Sequence, residues 1–118
     1  MKSLLALSIA LALTLHAGAA LAHAALASEA PAKGTSVAPP ADLTLTFTET
    51  VTLAFTGATL TGPDGAELAL GDASLSADGL TVTLALATGL PAGAYTVDWH
   101  ALSDDGHKSH GTYGFRVK

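Results

Sequence analysis

The chain has 118 residues, of which 58 are apolar, and 16 of these 58 lie within the first 22 residues. The remaining 96 residues suffice for one small domain, and their four Lys or Arg against ten Asp or Glu give a formal charge of −6. That charge argues against a nucleic-acid partner, because phosphate binding depends on clustered basic side chains, and no later apolar run approaches the roughly 20 residues that would insert the mature chain into a membrane.

Residues 1–22 have the organisation of a cleavable export signal. Lys2 gives a positive start, residues 4–15 are almost entirely apolar, and Ala20-Leu21-Ala22 is a small-residue cleavage signal. The apolar segment is too short to span a bilayer. We therefore predict a cleaved signal peptide over 1–22 and a single domain over 23–118. Cleavage two residues earlier or later, and an uncleaved anchor, are the alternatives.

The domain has the period-two pattern of β-strands. A short edge segment over 24–28 precedes a proline-rich loop, and apolar residues then alternate with threonine from Leu43 to Phe55. The same alternation recurs over 80–86, 95–99 and 113–117. Period two with β-branched residues on one face is typical of half-buried strands.

Turn residues separate these strands at short intervals. Asp64-Gly65, between Leu60 and Leu68, and Asp78-Gly79 predict hairpins. About seven short strands without helical periodicity indicate an all-β fold, an immunoglobulin-like Greek-key sandwich or barrel. The core aromatic residues are predicted to be Phe47, Phe55, Trp99 and Phe115. The sequence contains no cysteine, so no disulfide can support the fold.

Histidine is the residue type that offers chemistry, because the sequence has no cysteine and no G-x-S-x-G turn. If the mature chain begins at His23, its α-amine and imidazole Nδ1 can close a six-membered ring on one metal ion. The amine must first lose its proton, and its reference pKa of about 7.7 to 8.0 makes this cost on the order of 1 kcal/mol at pH 7. Acidification should therefore release the metal.

Asp105 and His107 are the second pair of candidate donors. In an extended segment, residues two apart leave the same face, and Gly106 lets the backbone bend. If the N-terminal strand passes this loop, the donors become an amine, two imidazoles and a carboxylate. Such donors favour Cu(II), with zinc as the competing metal. His100 and His110 are expected to be surface histidines, with His110 as a further ligand or a partner of the ligands as the alternative.

Four segments of the sequence form a recognisable combination: His23-Ala24 with Leu26, Ser28, Pro31 and Gly34; Tyr95-Thr96-Val97-Asp98-Trp99; Ser103-Asp104-Asp105-Gly106-His107; and Gly111-Thr112-Tyr113-Gly114-Phe115-Arg116-Val117. Together they resemble the CopC family of periplasmic copper-resistance proteins. The resemblance covers essentially all of 23–118. Two departures are notable: the only methionine is Met1, so the Met-rich Cu(I) segment of some members is absent, and Lys108 stands where the family often has proline.

The resemblance implies a small immunoglobulin-like β-barrel in the periplasm that binds Cu(II) through His23, Asp105 and His107. It further implies a copper carrier or sequestering agent without enzymatic turnover. The implied partners are an inner-membrane copper permease or other exported copper proteins. Two alternatives are a copper-dependent enzyme similar to lytic polysaccharide monooxygenases, which also use an N-terminal histidine, and a metal-free secreted interaction domain.

Overall fold

The computed structural model describes residues 24–118, so the leader and His23 lie outside the described residues. Nine strands form two sheets: β1 Leu26–Ala30, β2 Ser36–Val37, β3 Asp42–Phe47, β4 Gly57–Thr61, β5 Glu67–Leu68, β6 Ala73–Leu75, β7 Thr81–Ala85, β8 Gly93–Leu102 and β9 Lys108–Val117. One sheet has the order β1-β3-β7-β6, and the other has the order β2-β9-β8-β4-β5. The all-β sandwich is therefore confirmed. The strands outnumber the expected seven because β2 and β5 have two residues each, too few to produce an alternating pattern.

The two sheets enclose one core, to which alternate residues of each long strand contribute. From the four-stranded sheet come Leu43, Leu45, Phe47, Val82 and Leu84, and from the five-stranded sheet come Leu60, Tyr95, Val97, Tyr113, Phe115 and Val117. Tyr95 and Phe115 are opposite each other in the β8–β9 ladder, and their rings stack with centroids 5.4 Å apart. The alternation in the sequence thus identified most of the buried face correctly.

The pattern from Leu43 to Phe55 is not one strand. β3 ends at Phe47, and the next residues cross from one sheet to the other. The Val51 N–H donates to the Gly79 carbonyl, whereas the Thr52 N–H donates to the Leu102 carbonyl at the end of β8.

After this crossover, residues Leu53–Phe55 form a short 3-10 helix instead of a strand. The side chain of Phe55 is 63% exposed, so its prediction as a core residue was wrong. Trp99 is half-buried, and its ring packs edge-on against Phe47 with centroids 5.6 Å apart.

Both predicted hairpins are present. β4 and β5 pair Leu60 with Leu68 around Asp64-Gly65, and β6 and β7 pair Leu75 with Val82 around Asp78-Gly79. The predicted edge segment also exists, shifted by two residues, as β1, which pairs with β3 alone.

The longest hairpin joins β8 to β9 and determines where the candidate donors lie. These strands have ten residues each and stay in register from Gly93 opposite Val117 to Leu102 opposite Lys108. Residues 103–107 connect them at one end of the sandwich. Among residues 24–118, no helix is long and apolar enough to cross a membrane.

Candidate metal centre

The loop 103–107 is a tight turn closed by its own backbone. The Ser103 N–H donates to the His107 carbonyl at 2.9 Å, and the Gly106 N–H donates to the Ser103 carbonyl at 2.9 Å. Gly106 has φ of 93°, a left-handed conformation that side chains disfavour. The turn therefore brings the side chains on either side of Gly106 together.

The same loop is fastened to the crossover segment. Ser103 forms an isolated β-bridge with Val51, and the Asp104 N–H donates to the Thr50 carbonyl at 3.0 Å. The Thr52 hydroxyl donates to Asp104 Oδ1 at 2.9 Å. Asp104 is thereby turned toward the crossover, whereas Asp105 is turned toward His107.

Asp105 and His107, both candidate ligands, are in contact. His107 Nδ1 lies 3.0 Å from Asp105 Oδ1, and each side chain is about half exposed. The buried Ser103 hydroxyl also donates to Asp105 Oδ1, and the His107 backbone N–H lies 3.3 Å from the same oxygen. The Ser103 hydroxyl, followed by the His107 ring, lowers the pKa of Asp105 to about 2. Asp105 is therefore a carboxylate at neutral pH.

The first described residue of the chain is fixed beside this loop. The Ser109 hydroxyl donates to the carbonyl of Ala24 at 2.5 Å, and Ala24 is fully buried. The next residue exchanges hydrogen bonds with the end of β3: the Ala25 N–H donates to Thr48 Oγ1 at 3.0 Å, and the Thr48 N–H donates to the Ala25 carbonyl at 2.8 Å. Residue 24 is thus held next to β9, whose Ser109 lies only two positions after His107.

The contributions of Ser103 and Ser109 were not predicted from the sequence. Both serines act through hydrogen bonds, Ser103 to Asp105 Oδ1 and Ser109 to the Ala24 carbonyl. Ser109 is separated from Ala24 by 85 positions, so no local pattern indicates their contact.

The described residues supply only part of the predicted donor set. Across residues 24–118, no three His, Asp or Glu side chains converge on a point where they could hold a metal ion. Asp105 and His107 come together, whereas His23 lies outside the described residues. His100 and His110 are exposed on the outer face of the five-stranded sheet, as expected for surface histidines.

Comparisons with known proteins agree with one another. The CopC domain model matches residues 26–118. Protein YobA of Escherichia coli (strain K12) is 42% identical over 99 residues, which cover 82% of this chain and 80% of that protein. Copper resistance protein C of Escherichia coli is 38% identical over 111 residues, which cover 84% of each chain.

Solved structures show the same relationship. PcoC, a methionine-rich copper resistance protein from Escherichia coli, superposes with a TM-score of 0.72 at 36% identity, covering 81% of this chain and 99% of that one. CopC from Methylosinus trichosporium OB3b gives a TM-score of 0.74 at 31% identity, with 81% and 94% covered. With a family model matched over nearly the whole described domain, and relatives well above 30% identity, this chain belongs to the CopC family.

Proposed function

We propose that this protein binds Cu(II) in the periplasm and carries or sequesters it, without turnover chemistry. Its family membership supports a copper-related role in resistance. The finer assignment depends on the donors at the end of the β8–β9 hairpin. Export of the chain, with removal of residues 1–22, is part of the proposal.

One observation carries the assignment: the hydrogen bond between Ser109 Oγ and the Ala24 carbonyl. Ala24 immediately follows His23, and Ser109 is two positions from His107. Because Ala24 is buried and hydrogen-bonded here, we expect the residue attached to it to lie at this end of the sandwich. Cleavage before His23 would then create a free amine within reach of Asp105 and His107.

The chemistry of the donors favours copper. His23 would contribute its amine and imidazole, His107 an imidazole, and Asp105 a carboxylate oxygen. Three nitrogens and one oxygen suit a tetragonal Cu(II) ion, which also binds most tightly among the common divalent metals. Asp105 Oδ1 already accepts hydrogen bonds from Ser103 and His107, so we assign Oδ2 to the metal.

The scaffold would hold these donors without large rearrangement. The loop is closed by backbone hydrogen bonds and tied to residues 50–52. Copper bound to this arrangement would stabilise the folded chain by mass action. The receiving partner is proposed, from the family, to be an inner-membrane copper permease or another exported copper protein.

The test begins with the intact mass of the exported protein, which should correspond to residues 23–118. Copper titration of this protein should then show one tight Cu(II) ion per chain, retained against competing Zn²⁺. His23→Ala and His107→Ala should each weaken its binding by more than about tenfold, since even outer partners of metal ligands are worth about 10- to 100-fold.

His110→Ala is the matched control, because this exposed histidine lies on β9 outside the proposed donors. It should leave the affinity for the tight ion unchanged. A mature chain that starts at Ala25, or unchanged affinity in both His23→Ala and His107→Ala, would refute the site. Oxidised products from polysaccharide with ascorbate would instead favour the enzyme alternative.

A further inference from the structure

We propose that His100 and His110 form a second metal site, a two-imidazole site for Cu(II) on the outer face of the five-stranded sheet. The two residues are directly opposite each other in the β8–β9 ladder. Directly opposed residues have Cβ atoms about 4.5–5.5 Å apart. Two imidazoles starting from that separation can reach one ion at metal–nitrogen distances of about 2.0–2.1 Å.

Both histidines point away from the core. Their chain neighbours Trp99, Ala101 and Ser109 are buried or half-buried, whereas His100 and His110 are exposed. Alternation along a strand therefore places both imidazoles on the same, solvent-facing side of the sheet. A metal ion could approach them without any opening of the sandwich.

Both histidines line a surface cavity of about 390 Å³. Its lining includes His100 and His110 together with the apolar side chains of Ala54, Phe55 and Leu102. Phe55 is the one large apolar side chain that the described part of the chain exposes, and it lies at this cavity. An apolar rim limits solvent access to a bound ion, which is how outer groups tune metal sites.

The His100 ring lies over Gly57, the residue opposite it on β4. A Cβ atom at Gly57 would lie 3.5 Å from His100 Cε1 and 3.8 Å from Nε2, so the ring uses space that the glycine leaves open. To share an ion with His110, the His100 side chain must turn back about χ1. Exposed side chains change rotamer within picoseconds to nanoseconds, so this step is rapid.

The nearby charges are of both signs. Asp98 lies two residues before His100 on the same face, and its Oδ1 accepts a hydrogen bond from the Thr112 hydroxyl at 2.5 Å. Lys108 also lines the cavity and disfavours a cation there. Because these two charges oppose each other, the main attraction for a metal ion comes from the two imidazole rings, and imidazole ligands favour Cu(II) among the divalent metals. Water would complete the coordination.

This site is separate from the one at Asp105 and His107. No three potential ligands converge within the described residues, so His100 and His110 do not join that pair. The inference therefore does not depend on the proposed function. It is best tested in exported protein carrying Asp105→Ala and His107→Ala, because these changes weaken the first site while leaving the second intact.

The experiment is Cu²⁺ titration followed by electron paramagnetic resonance, with circular dichroism to verify folding. Adding His100→Gln and His110→Gln to this background should reduce the bound copper by one ion per chain. The nitrogen hyperfine signal of that ion should disappear as well. When His100→Gln and His110→Gln are introduced into the otherwise unmodified protein, we likewise expect it to lose the second, more weakly bound copper ion.

Two further variants test the geometry. His110→Gln with Arg116→His keeps two histidines on the outer face but moves one of them six residues along β9, roughly 20 Å away. It should bind no second ion. Gly57→Val fills the space beneath the His100 ring, turns the ring toward His110, and should tighten binding of the second ion.

Unchanged copper stoichiometry after His100→Gln and His110→Gln would overturn the proposal. So would full binding by the variant with the displaced histidine. A copper-dependent dimer that requires both histidines would show that the ion bridges two chains, which contradicts a site within one chain.

Discussion

The hydroxyl of Ser109 donates a 2.5 Å hydrogen bond to the carbonyl of Ala24, joining the start of β9 to the first described residue of the chain. Ala24 is fully buried, so its carbonyl has no access to water as a substitute. We therefore expect this contact to couple the proposed copper ligands to the stability of the fold.

Replacing Ser109 with alanine should therefore lower both the stability of the fold and the affinity for copper. An unpaired buried carbonyl costs about 1–3 kcal/mol, which should appear as a lower urea midpoint. Copper affinity should fall as well, since residue 23 loses its neighbouring anchor. Thr112→Ala is the control, because it removes a β9 hydroxyl that bonds only the exposed Asp98. Equal tight-site copper affinity in Ser109→Ala and Thr112→Ala would contradict the coupling.

Ser103→Ala should raise the pKa of Asp105, because the Ser103 hydroxyl is the largest cause of its decrease to about 2. Carboxyl titration by NMR would measure the change directly. Ser76→Ala is the matched comparison, since the Ser76 hydroxyl lowers the pKa of Asp78 in another turn. It should raise the pKa of Asp78 and leave that of Asp105 unchanged.

The low pKa of Asp105 also predicts an acid dependence of stability. Its folded value of about 2 lies below the usual 3.8, so the unfolded chain binds more protons between these pH values. The stabilisation is complete above about pH 4 and is lost as the pH falls toward 2. Urea unfolding across this pH range should show that Asp105→Asn loses less unfolding free energy on acidification than the parent protein does. An identical pH dependence of the unfolding free energy in the two proteins would contradict the low pKa of Asp105.

Substitution of Phe47 should destabilise the fold strongly, whereas substitution of Phe55 should have little effect on stability. Phe47 is 2% exposed and Phe55 is 63% exposed. Phe47→Ala should cost about 3–5 kcal/mol of unfolding free energy. Phe55→Ser should change it by less than about 0.5 kcal/mol, as expected at the surface. Thermal and urea unfolding of the two variants would measure this difference, and a loss of stability in Phe55→Ser as large as that in Phe47→Ala would contradict the exposed position of Phe55.

Gly111→Ala should destabilise the β8–β9 hairpin. A Cβ at this position would lie 2.7 Å from Trp99 Cζ2, a distance that requires the indole to shift and so disturbs its packing against Phe47. Overpacking of this kind costs about 1–3 kcal/mol and should shift the tryptophan fluorescence. Gly57→Ala is the control, because its nearest contact would be an ordinary 3.5 Å. A smaller effect for Gly111→Ala than for Gly57→Ala would contradict this packing.

Local patterns predicted the parts of the fold that local physics controls. Alternation identified Leu43, Leu45 and Phe47 as buried, and Asp-Gly pairs identified two hairpins. The same alternation misassigned Phe55, because the chain changes sheets between Thr48 and Thr52 through hydrogen bonds to residues far away in sequence. The sequence of the threonine-rich segment alone does not indicate that crossover.

The candidate site, like the fold, was predicted only where local sequence determines the geometry. Asp105 and His107 were predicted to lie together from their spacing across a glycine in an extended segment. They are in contact at 3.0 Å, but in a tight turn rather than an extended segment. The roles of Ser103 and Ser109 were not predicted. Ser103 contacts Asp105 because of the conformation of the turn, and Ser109 contacts Ala24 because β9 packs against the N-terminal segment. His23 remains a prediction from the cleavage signal.

β9 is fastened at both ends, to Ala24 through Ser109 and to β2 through the Lys118 N–H, which donates to the Val37 carbonyl at 2.8 Å. From Ser109 to Lys118 an extended strand covers roughly 30 Å. A dye or surface tether attached to Lys118 would therefore lie at the opposite end of the sandwich from the 103–107 loop. Immobilising the protein through Lys118 should leave the loop end facing the solution.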